Sequence, residues 1–443
     1  MDTYRSVFSK VLNKIKPTDY QENKNKKILE EIVCILRKKI SADVDVEPVG
    51  SFVKGTHIKN KKEFDVFLLF PKKYSKQEIS KLGIGFGKKS FNKTVLAYAE
   101  HPYLRAKYKG YDIDLVPAYK LASPNEKATA VDRSPFHATY INKKLNEKQK
   151  DDVRLLKQFL KAQNIYGAEL RVEGFSGYLA ELLIVKYGDI LTLFKKAAEW
   201  KIPVSIDIEK YGTTSQFSGP MIVIDPVDSN RNVSAVVSTT SLSRFIFYSR
   251  EFIKKPEIKY FLQPKKKINK KKLVETIKKR NTCVDVYEFD APDVIEDILW
   301  PQLRKIVYGF KYNLEKMEFN LLGFYYWSDR KKCIIMFETY TNTLPSVNKL
   351  IGPDITRISD VEKFRQKHKK AVDMQIAHNK IVAIESRKYD DFDKVLKHLI
   401  YSNVSTTPTR FLKPLKKKTK LTIENFVEKY PEIASDYFMR TIK

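Results

Sequence analysis

Two acidic side chains separated by a single residue form the first pattern in this chain that could do chemistry. They are Glu63 and Asp65, in the run Glu63-Phe64-Asp65-Val66. Side chains on a strand alternate between faces, so Glu63 and Asp65 should share one face, opposite the apolar residues. Two adjacent carboxylates repel each other, and a cation between them removes that cost. Because Mg²⁺ prefers oxygen ligands, the pattern predicts a divalent-cation site.

A second pair of acids, Asp112 and Asp114, repeats this spacing in the run Tyr111–Val116. If the second strand neighbours the first, three carboxylates converge from two strands. Such a group can hold two ions about 3.5–4 Å apart, the arrangement used for in-line phosphoryl or nucleotidyl transfer. The residues alone leave Asp112 and Asp114 as alternatives for the third ligand.

Gly50-Ser51 stands shortly before the first acid pair. It ends a predicted strand and precedes VKGTHIKN, for which we predict a short helix. A glycine-serine turn at a helix start offers N–H groups and a hydroxyl to phosphate, although the form of a P-loop is lacking. An isolated acid pair is typical of a solvated strand face, whereas this combination favours catalysis.

Two-metal chemistry needs no histidine base, so we interpret Glu100, His101 and His137 as positioning groups.

The elements that must position these groups can be predicted from periodicity. Apolar residues recur at helical spacing over 25–40, and strands are predicted at 42–50 and 62–71. A hairpin should turn near Lys109-Gly110. From about 145 to 255 the pattern is mostly helical, with Ser176 as an N-cap and one short β run, PMIVIDPVD. A helix followed by strands predicts a small α/β or α+β catalytic module.

The chain changes composition sharply at 259–280, which holds ten Lys or Arg residues and one acid, Glu275. A β-α-β-β order follows, with a further strand near 380–388 and a helical end from about 411. This order favours a ferredoxin-like or RNA-recognition-like sheet. The aromatic run Phe324–Trp327 could stack a nucleobase, although packing on one face of a strand explains it as well.

Composition narrows the classes of partner. Lys and Arg total 83 against 53 Asp and Glu, a net charge of +30, which predicts a polyanion, with nucleic acid first. An anionic membrane is a weaker candidate because no polybasic segment adjoins a lipidation signal. There is no apolar run of about 18 residues and no apolar signal core. Three widely spaced cysteines fit a reducing cytoplasm.

Longer strings in the chain are more specific than any single motif. They are, in order, VGSFVKGTHIKNKKEFDVFLLFP, YAEHPY, YDIDLVPAYKL, AVDRSPFH, VRLLKQFLKAQNIYGAE, GFSGYLAELLIV, DPVDSNRNV and WPQL. Over residues 20–305, and more loosely to the end, the chain resembles the class I (archaeal-type) CCA-adding enzymes. These are CCA tRNA nucleotidyltransferases of the DNA polymerase β-like superfamily.

The resemblance implies a multidomain α+β protein. We expect a polymerase-β-like nucleotidyltransferase head at 1–143, a mostly helical central domain at 144–258 that binds nucleotide and the tRNA end, and a basic ferredoxin/RRM-like RNA-binding domain with a helical tail at 259–443. The implied activity is addition of CCA to the tRNA 3′ end from CTP and ATP, without a template, using two Mg²⁺ ions. The implied partners are the tRNA acceptor end and TΨC arm, in the cytoplasm and with no membrane.

Individual roles carry over residue by residue. The resemblance implies that Glu63, Asp65 and Asp114 bind the metals, and it favours Asp114 over Asp112. It places the remaining nucleotide contacts on Ser51, Lys54, His137, Lys157, Tyr166 and Arg231. Ser51 would bind phosphate, Lys157 and Tyr166 the triphosphate, and Arg231 would help to read the base. Lys54 stands where the family usually has arginine, so a point charge replaces a planar fork.

Two other functions remain open from the sequence. A poly(A) polymerase or an oligoadenylate synthetase-like enzyme would share the head and helical domain. A non-catalytic RNA-binding protein could use the same fold, although the presence of all three acids argues against it. The sequence leaves open whether the chain forms a homodimer and how addition would stop after A.

Overall fold

The computed structural model of this protein describes residues 2–98, 102–126, 129, 131–263, 267–402 and 407–439. The chain divides into two units, Met1–Lys265 and Lys266–Lys443. Both units contain helices and sheets, which confirms the predicted mixture of helix and sheet. Among the described helices, none is long and apolar enough to cross a membrane.

The head is built on a five-stranded sheet in the order β1-β2-β5-β4-β3. The elements up to residue 119 are α1 (Asp2–Ile15), α2 (Asp19–Arg37), β1 (Asp45–Val49), α3 (Gly50–Val53), β2 (Glu63–Phe70), α4 (Lys76–Ser90), β3 (Thr94–Tyr98), β4 (Pro102–Tyr108) and β5 (Tyr111–Tyr119). One face of β2 packs Phe64, Val66 and Leu68 into a core with α2 and α4. The alternation that buries these residues turns the acids of β2 to the other face.

A helical part follows in the same unit. It comprises α5 (Ser134–Lys144), α6 (Glu147–Ala162), α7 (Gly177–Tyr187), α8 (Ile190–Ala197), β6 (Val204–Ile206), β7 (Met221–Asp225), β8 (Asp228–Asn232) and α9 (Thr239–Lys254). Ser176 accepts a hydrogen bond from the Leu179 N–H, which confirms the predicted N-cap of α7. The first helix, α1, buries Val7 and Val11 in the core of this part and not against the head sheet.

The short β run that we predicted in this region is confirmed as β7. The expectation that it is the only one is wrong, because three strands form a sheet in the order β6-β7-β8. Strand β7 is buried at every position and was recognisable as an apolar run. Its partner β8 has the sequence DSNRN, whose polar composition predicts a turn. Pro226 and Val227 make the turn instead, so Arg231 lies on a strand.

The second unit contains two antiparallel sheets. Its elements are α10 (Lys270–Lys278), β9 (Cys283–Asp290), α11 (Glu296–Lys316), β10 (Leu321–Ser328), β11 (Lys332–Thr339), β12 (Val347–Asp354), α12 (Ile358–Lys367), β13 (Asp373–Ala377), β14 (Lys380–Ser386), α13 (Phe392–Tyr401), α14 (Thr409–Lys416), β15 (Thr419–Leu421), α15 (Ile423–Lys429) and α16 (Pro431–Phe438). The main sheet has the order β10-β11-β9-β15. Strand β14, predicted from 380–388, belongs to a separate sheet in the order β12-β14-β13.

The aromatic run on β10 packs on both faces of its strand. Tyr325 and Trp327 adjoin the core that α10, α15 and α16 form on the sheet. On the other face, the phenol oxygen of Tyr326 accepts a hydrogen bond of 3.0 Å from Arg304 Nε. Packing within the unit therefore accounts for these rings, and base stacking stays a prediction.

Candidate active site

Two neighbouring parallel strands bring the predicted acids together. Strands β2 and β5 pair with Glu63 beside Asp112 and Asp65 beside Asp114. The neighbouring arrangement on which the sequence argument depended is thus present, at the amino-terminal ends of both strands. Burial distinguishes the two candidates for the third acid. The side chain of Asp114 is 11% exposed, whereas that of Asp112 is 44% exposed and lies 3.5 Å from Lys107 Nζ.

The electrostatics of this group reflect repulsion between carboxylates. Burial raises the pKa of the Asp65 carboxyl, and the charges of Glu63 and Asp114 raise it further. Lys61 Nζ lies 3.9 Å from Glu63 Oε2 and acts in the opposite direction on Asp65. A cation bound among the three carboxylates would relieve the repulsion.

Arg105 on β4 is a member of this site that the sequence analysis did not select. Its Nε and Nη2 donate hydrogen bonds of 2.6 and 2.7 Å to the two carboxylate oxygens of Asp114, and Nη2 lies 3.6 Å from Glu63. Within the described ranges, no three Asp, Glu, His or Cys side chains are already arranged as a metal cluster. The predicted turn at Lys109-Gly110 was enough to identify Arg105, because that hairpin places Arg105 directly opposite Asp114.

The glycine-serine turn lies against the carboxylates. Gly50 has φ of +80°, and a Cβ added there would lie 2.1 Å from Asp65 Oδ2, so the approach requires glycine. The helix predicted over VKGTHIKN is wrong, because α3 begins at Gly50 and ends at Val53. Gly55, with φ of +64°, and a hydrogen bond from the Thr56 N–H to the Ser51 carbonyl close the segment as a turn. The Ser51 hydroxyl lies 3.3 Å from Lys61 Nζ.

Two predicted phosphate-binding lysines meet at one buried glutamate. Lys54 follows the glycine-serine turn and bonds to Glu181 Oε2, while Lys157 on α6 lies 2.9 Å from Glu181 Oε1. The Thr56 hydroxyl donates to the same carboxylate at 2.6 Å. Burial alone would raise the pKa of Glu181, but the two lysines hold it at about 2. Sequence analysis did not select Glu181, although a glutamate in the apolar helical run GYLAELLIV must have a partner.

Tyr166 lies beside this cluster. A Cβ added at Gly177, the first residue of α7, would be 3.1 Å from the Tyr166 hydroxyl and 3.6 Å from Lys157 Cε. Both predicted triphosphate-binding residues therefore approach the start of α7. Burial raises the pKa of Tyr166 to about 12, so the phenol stays protonated. The ammonium of Lys161 lies 5.2 Å from the centre of its ring.

A second buried carboxylate, Asp225, organises the remaining predicted residues. Its Oδ2 lies 2.9 Å from His137 Nε2 and accepts a hydrogen bond of 2.8 Å from Arg231. Its Oδ1 accepts one of 3.0 Å from the Tyr178 hydroxyl. The rings of His137 and Tyr178 stack with centres 3.9 Å apart. Asp225 is fully buried and escaped the sequence analysis, although it ends the apolar run of β7.

A cavity of about 350 Å³ is lined by residues of the carboxylate site and by two side chains that bond to Asp225. Gly50, Lys54, Asp65 and Asp114 line one part of it, and His137 and Tyr178 line another. Lys157 contacts the same glutamate as Lys54 and is almost fully buried. Two further positioning candidates, Glu100 and His101, lie outside the described residues.

Three protein families match successive parts of the chain. The family described as nucleotidyltransferase domain matches residues 27–137. The family described as tRNA nucleotidyltransferase, second domain, matches residues 151–262. The family described as CCA-adding enzyme, C-terminal domain, matches residues 280–423.

Similar proteins extend over most of the chain. A CCA-adding enzyme of Methanosarcina mazei is 35% identical over 404 residues, which covers 88% of each chain. A CCA-adding enzyme of Archaeoglobus fulgidus is 36% identical over 386 residues, which covers 86% of each. Among solved structures, one of a cytoplasmic RNA terminal U-transferase has a TM-score of 0.46 and 16% identity, covering 59% of this chain and 97% of the other.

Proposed function

The chain belongs to the family of CCA-adding enzymes, and from that premise we propose how it adds CCA to the 3′ end of tRNA. The reaction is nucleotidyl transfer without a nucleic-acid template. The tRNA 3′-hydroxyl attacks the α-phosphate of CTP or ATP in line and pyrophosphate leaves. The observation that carries the proposal is the register of β2 and β5, which gathers Glu63, Asp65 and Asp114 beside Gly50-Ser51.

The donor set fits a hard divalent cation, and we propose two Mg²⁺ ions, one held by all three acids and one by Glu63 and Asp65. When bound, these ions lower the pKa of the attacking hydroxyl and neutralise charge on the triphosphate. Two observations support the fit. Burial raises the pKa of Asp65 and the charges of Glu63 and Asp114 raise it further, and Arg105 already supplies positive charge to Asp114.

Different groups around the cavity hold different parts of the nucleotide. Lys54 presents its charge at the cavity wall. Ser51 follows Gly50, which lies against Asp65, and supplies a hydroxyl to phosphate. Lys157 and Tyr166 both lie close to the start of α7, and there they support the triphosphate. His137 and Arg231 approach from the Asp225 side and contact the nucleoside. The triphosphate thus lies between the lysines and the carboxylates, so that the α-phosphate faces the acids.

The proposed division of the chain is a head at 1–143, a central domain at 144–258 and an RNA-binding part at 259–443. The order of β9, α11, β10 and β11, with β15 beside β9, supports a ferredoxin-like sheet in the last part. The test of the activity is incorporation of labelled CTP into tRNA that lacks its 3′ CCA. Incorporation should require Mg²⁺ and stop on addition of EDTA; incorporation that persists in EDTA would contradict the metal assignment.

Replacing Arg231 should change nucleotide choice as well as rate. Cytosine and adenine present a ring-nitrogen acceptor where uracil and guanine present an N–H, so a cationic donor favours the first pair. An unpaired buried donor costs about 1–3 kcal/mol, or roughly 5–150-fold in discrimination. Arg231→Ala should lower kcat/KM for CTP and ATP and narrow their advantage over UTP and GTP. Arg231→Lys should restore charge but not selectivity, because lysine lacks the planar fork.

Single-nucleotide incorporation with each of the four nucleoside triphosphates on one tRNA measures this effect. If Arg231 only binds phosphate or stabilises its hairpin, all four rates will fall by a similar factor. The selectivity ratio will then stay unchanged, and the base-reading role will be wrong.

Binding of tRNA should weaken steeply with salt, because the net charge of +30 favours many phosphate contacts. We expect affinity to fall by about 10³ or more between roughly 50 and 200 mM salt. Neutralising the lysines of the basic tract should flatten this slope. These are Lys265, Lys266, Lys267, Lys270, Lys271 and Lys272. The first two lie outside the described residues, and the last three begin α10, where they are exposed.

A matched control neutralises six exposed lysines on or near α4, a helix that packs on the face of the head sheet opposite the carboxylates. These are Lys72, Lys76, Lys81, Lys88, Lys89 and Lys93. The slope of log affinity against log salt should change little in this control. Equal slopes in wild type and the basic-tract variant would show that these lysines do not contact tRNA phosphates.

A further inference from the structure

Asp225 has the contacts of a positioning residue for nucleotide choice. It is fully buried, at the end of the apolar strand β7, yet it carries a charge. Burial alone would raise the pKa of this carboxyl, but His137 and Arg231 hold it at about 2. A buried carboxylate of this kind is costly unless all its oxygens are bonded. Here each oxygen accepts at least two hydrogen bonds.

The groups bonded to Asp225 come from three elements that do not otherwise share a backbone ladder. His137 lies on α5, Tyr178 on α7 and Arg231 on β8. The first two line the cavity that contains Asp65 and Asp114. His137 is held on its edge by Asp225 and on its face by the Tyr178 ring.

Arg231 depends most on this carboxylate for its direction. Its side chain is 33% exposed, so its other donors remain accessible to a nucleotide. An exposed arginine has several rotatable bonds and pays entropy to hold one orientation. A bond to a buried, immobile carboxylate fixes that orientation in advance. The carboxylate also fixes the His137 ring, because an acceptor-only partner requires a hydrogen on Nε2.

From these contacts we propose that Asp225 holds Arg231 in the orientation that reads the base and thereby sets the preference for CTP and ATP, while its bond to His137 supports binding of every nucleotide alike. This inference rests on the function proposed above and assigns a role to a residue that does not itself touch the nucleotide. It acts through Arg231, so its effect on selectivity must disappear when Arg231 is absent.

The experiment is a double-mutant cycle with Asp225→Asn, Arg231→Ala and the double variant, read as kcat/KM for all four nucleoside triphosphates on one tRNA. Asp225→Asn should lower kcat/KM for CTP and ATP and narrow the advantage over UTP and GTP by about 5-fold or more. The double variant should have the selectivity of Arg231→Ala alone, since coupled residues are not additive. The proposal would be overturned if the two substitutions reduced selectivity additively in the double variant. It would also be overturned if Asp225→Asn left the ratio of kcat/KM for CTP and ATP to that for UTP and GTP unchanged.

Asp228→Asn is the matched control. Asp228 is a buried carboxylate on the same hairpin, and it accepts a hydrogen bond of 3.0 Å from a different arginine, Arg133. Its loss should leave the selectivity ratio unchanged. If Asp225→Asn folds poorly, Asp225→Glu keeps the charge but displaces it, and the same narrowing of selectivity is expected at normal thermal stability. Wild-type enzyme that adds no CCA would instead refute the proposed function, which separates the two failures.

Discussion

Asp65→Ala should reduce incorporation of both CTP and ATP by at least about 10³-fold, because each proposed ion loses a ligand and several kcal/mol of charge stabilisation. Affinity for tRNA should stay near that of wild type, since the basic surface is untouched. The variant should not be less stable in EDTA, because the removed carboxylate repels Glu63 and Asp114. In Asp65→Ala, added Mg²⁺ should no longer stabilise the fold against thermal unfolding. Incorporation assays, tRNA binding and thermal unfolding measure these effects.

The matched control for this variant is on the neighbouring strand. Asp114→Ala should be as severe as Asp65→Ala, whereas Asp112→Ala should be mild because that side chain is exposed and faces Lys107. The opposite order would show that the wrong acid had been assigned. Activity of Asp65→Ala within about tenfold of wild type would refute the metal assignment itself.

Glu181→Gln replaces one carboxylate oxygen by an amide group. Within the described part of the active site, this should be the most destabilising of such small changes. Lys54 is 7% and Lys157 2% exposed, and without the carboxylate both ammonium groups remain buried with uncompensated charge. Breaking a buried ion pair costs about 3–5 kcal/mol. For a unit of this size, Tm should fall by roughly 6–20 °C. Incorporation should fall as well, because both lysines lose their position.

The matched control is Glu251→Gln, whose carboxylate pairs with an exposed lysine, Lys254, at 2.9 Å. Its unfolding free energy should change by less than about 1 kcal/mol. Adding Lys54→Met to Glu181→Gln should restore part of the stability, because it removes one of the uncompensated charges. A Tm within about 2 °C of wild type for Glu181→Gln would contradict the buried-charge account.

The pH dependence of stability gives a second check on Glu181. Its pKa in the folded protein is about 2 against an ordinary value of 4.5. A carboxyl with a lowered folded pKa contributes stability above its unfolded pKa and loses it as pH falls through the folded value. Wild type should therefore lose this contribution between about pH 4.5 and pH 2. Glu181→Gln should show a shallower loss over the same window.

The acids were predictable because strand alternation is a local property. A period of two places Glu63 with Asp65 and Asp112 with Asp114 without any knowledge of the fold. Whether the two strands are neighbours is a property of topology, and no local pattern decides it. Once the hairpin at Lys109-Gly110 is accepted, however, simple counting across the turn pairs Arg105 with Asp114.

The two buried carboxylates, Glu181 and Asp225, were missed because their partners are distant in sequence. Lys54 and Glu181 are 127 residues apart, and His137 and Asp225 are 88 residues apart. What the sequence does contain is the anomaly itself, an acid within or at the end of an apolar run. Such an acid must be paired on folding, although its partners cannot be identified locally. Strand β8 escapes local prediction for a related reason, since its polar sequence, DSNRN, derives its strand conformation from pairing with β7.

The central claim is that this chain builds a defined CCA end from two nucleotides, and the product on tRNA lacking its 3′ CCA tests it most directly. The tRNA is incubated with CTP alone, ATP alone and both together, and the 3′ ends are sequenced. We expect CTP alone to add two cytidines, ATP alone to add nothing, and the mixture to give CCA and then stop. A run of adenosines from ATP alone, or extension of the mixture well beyond CCA, would contradict the account.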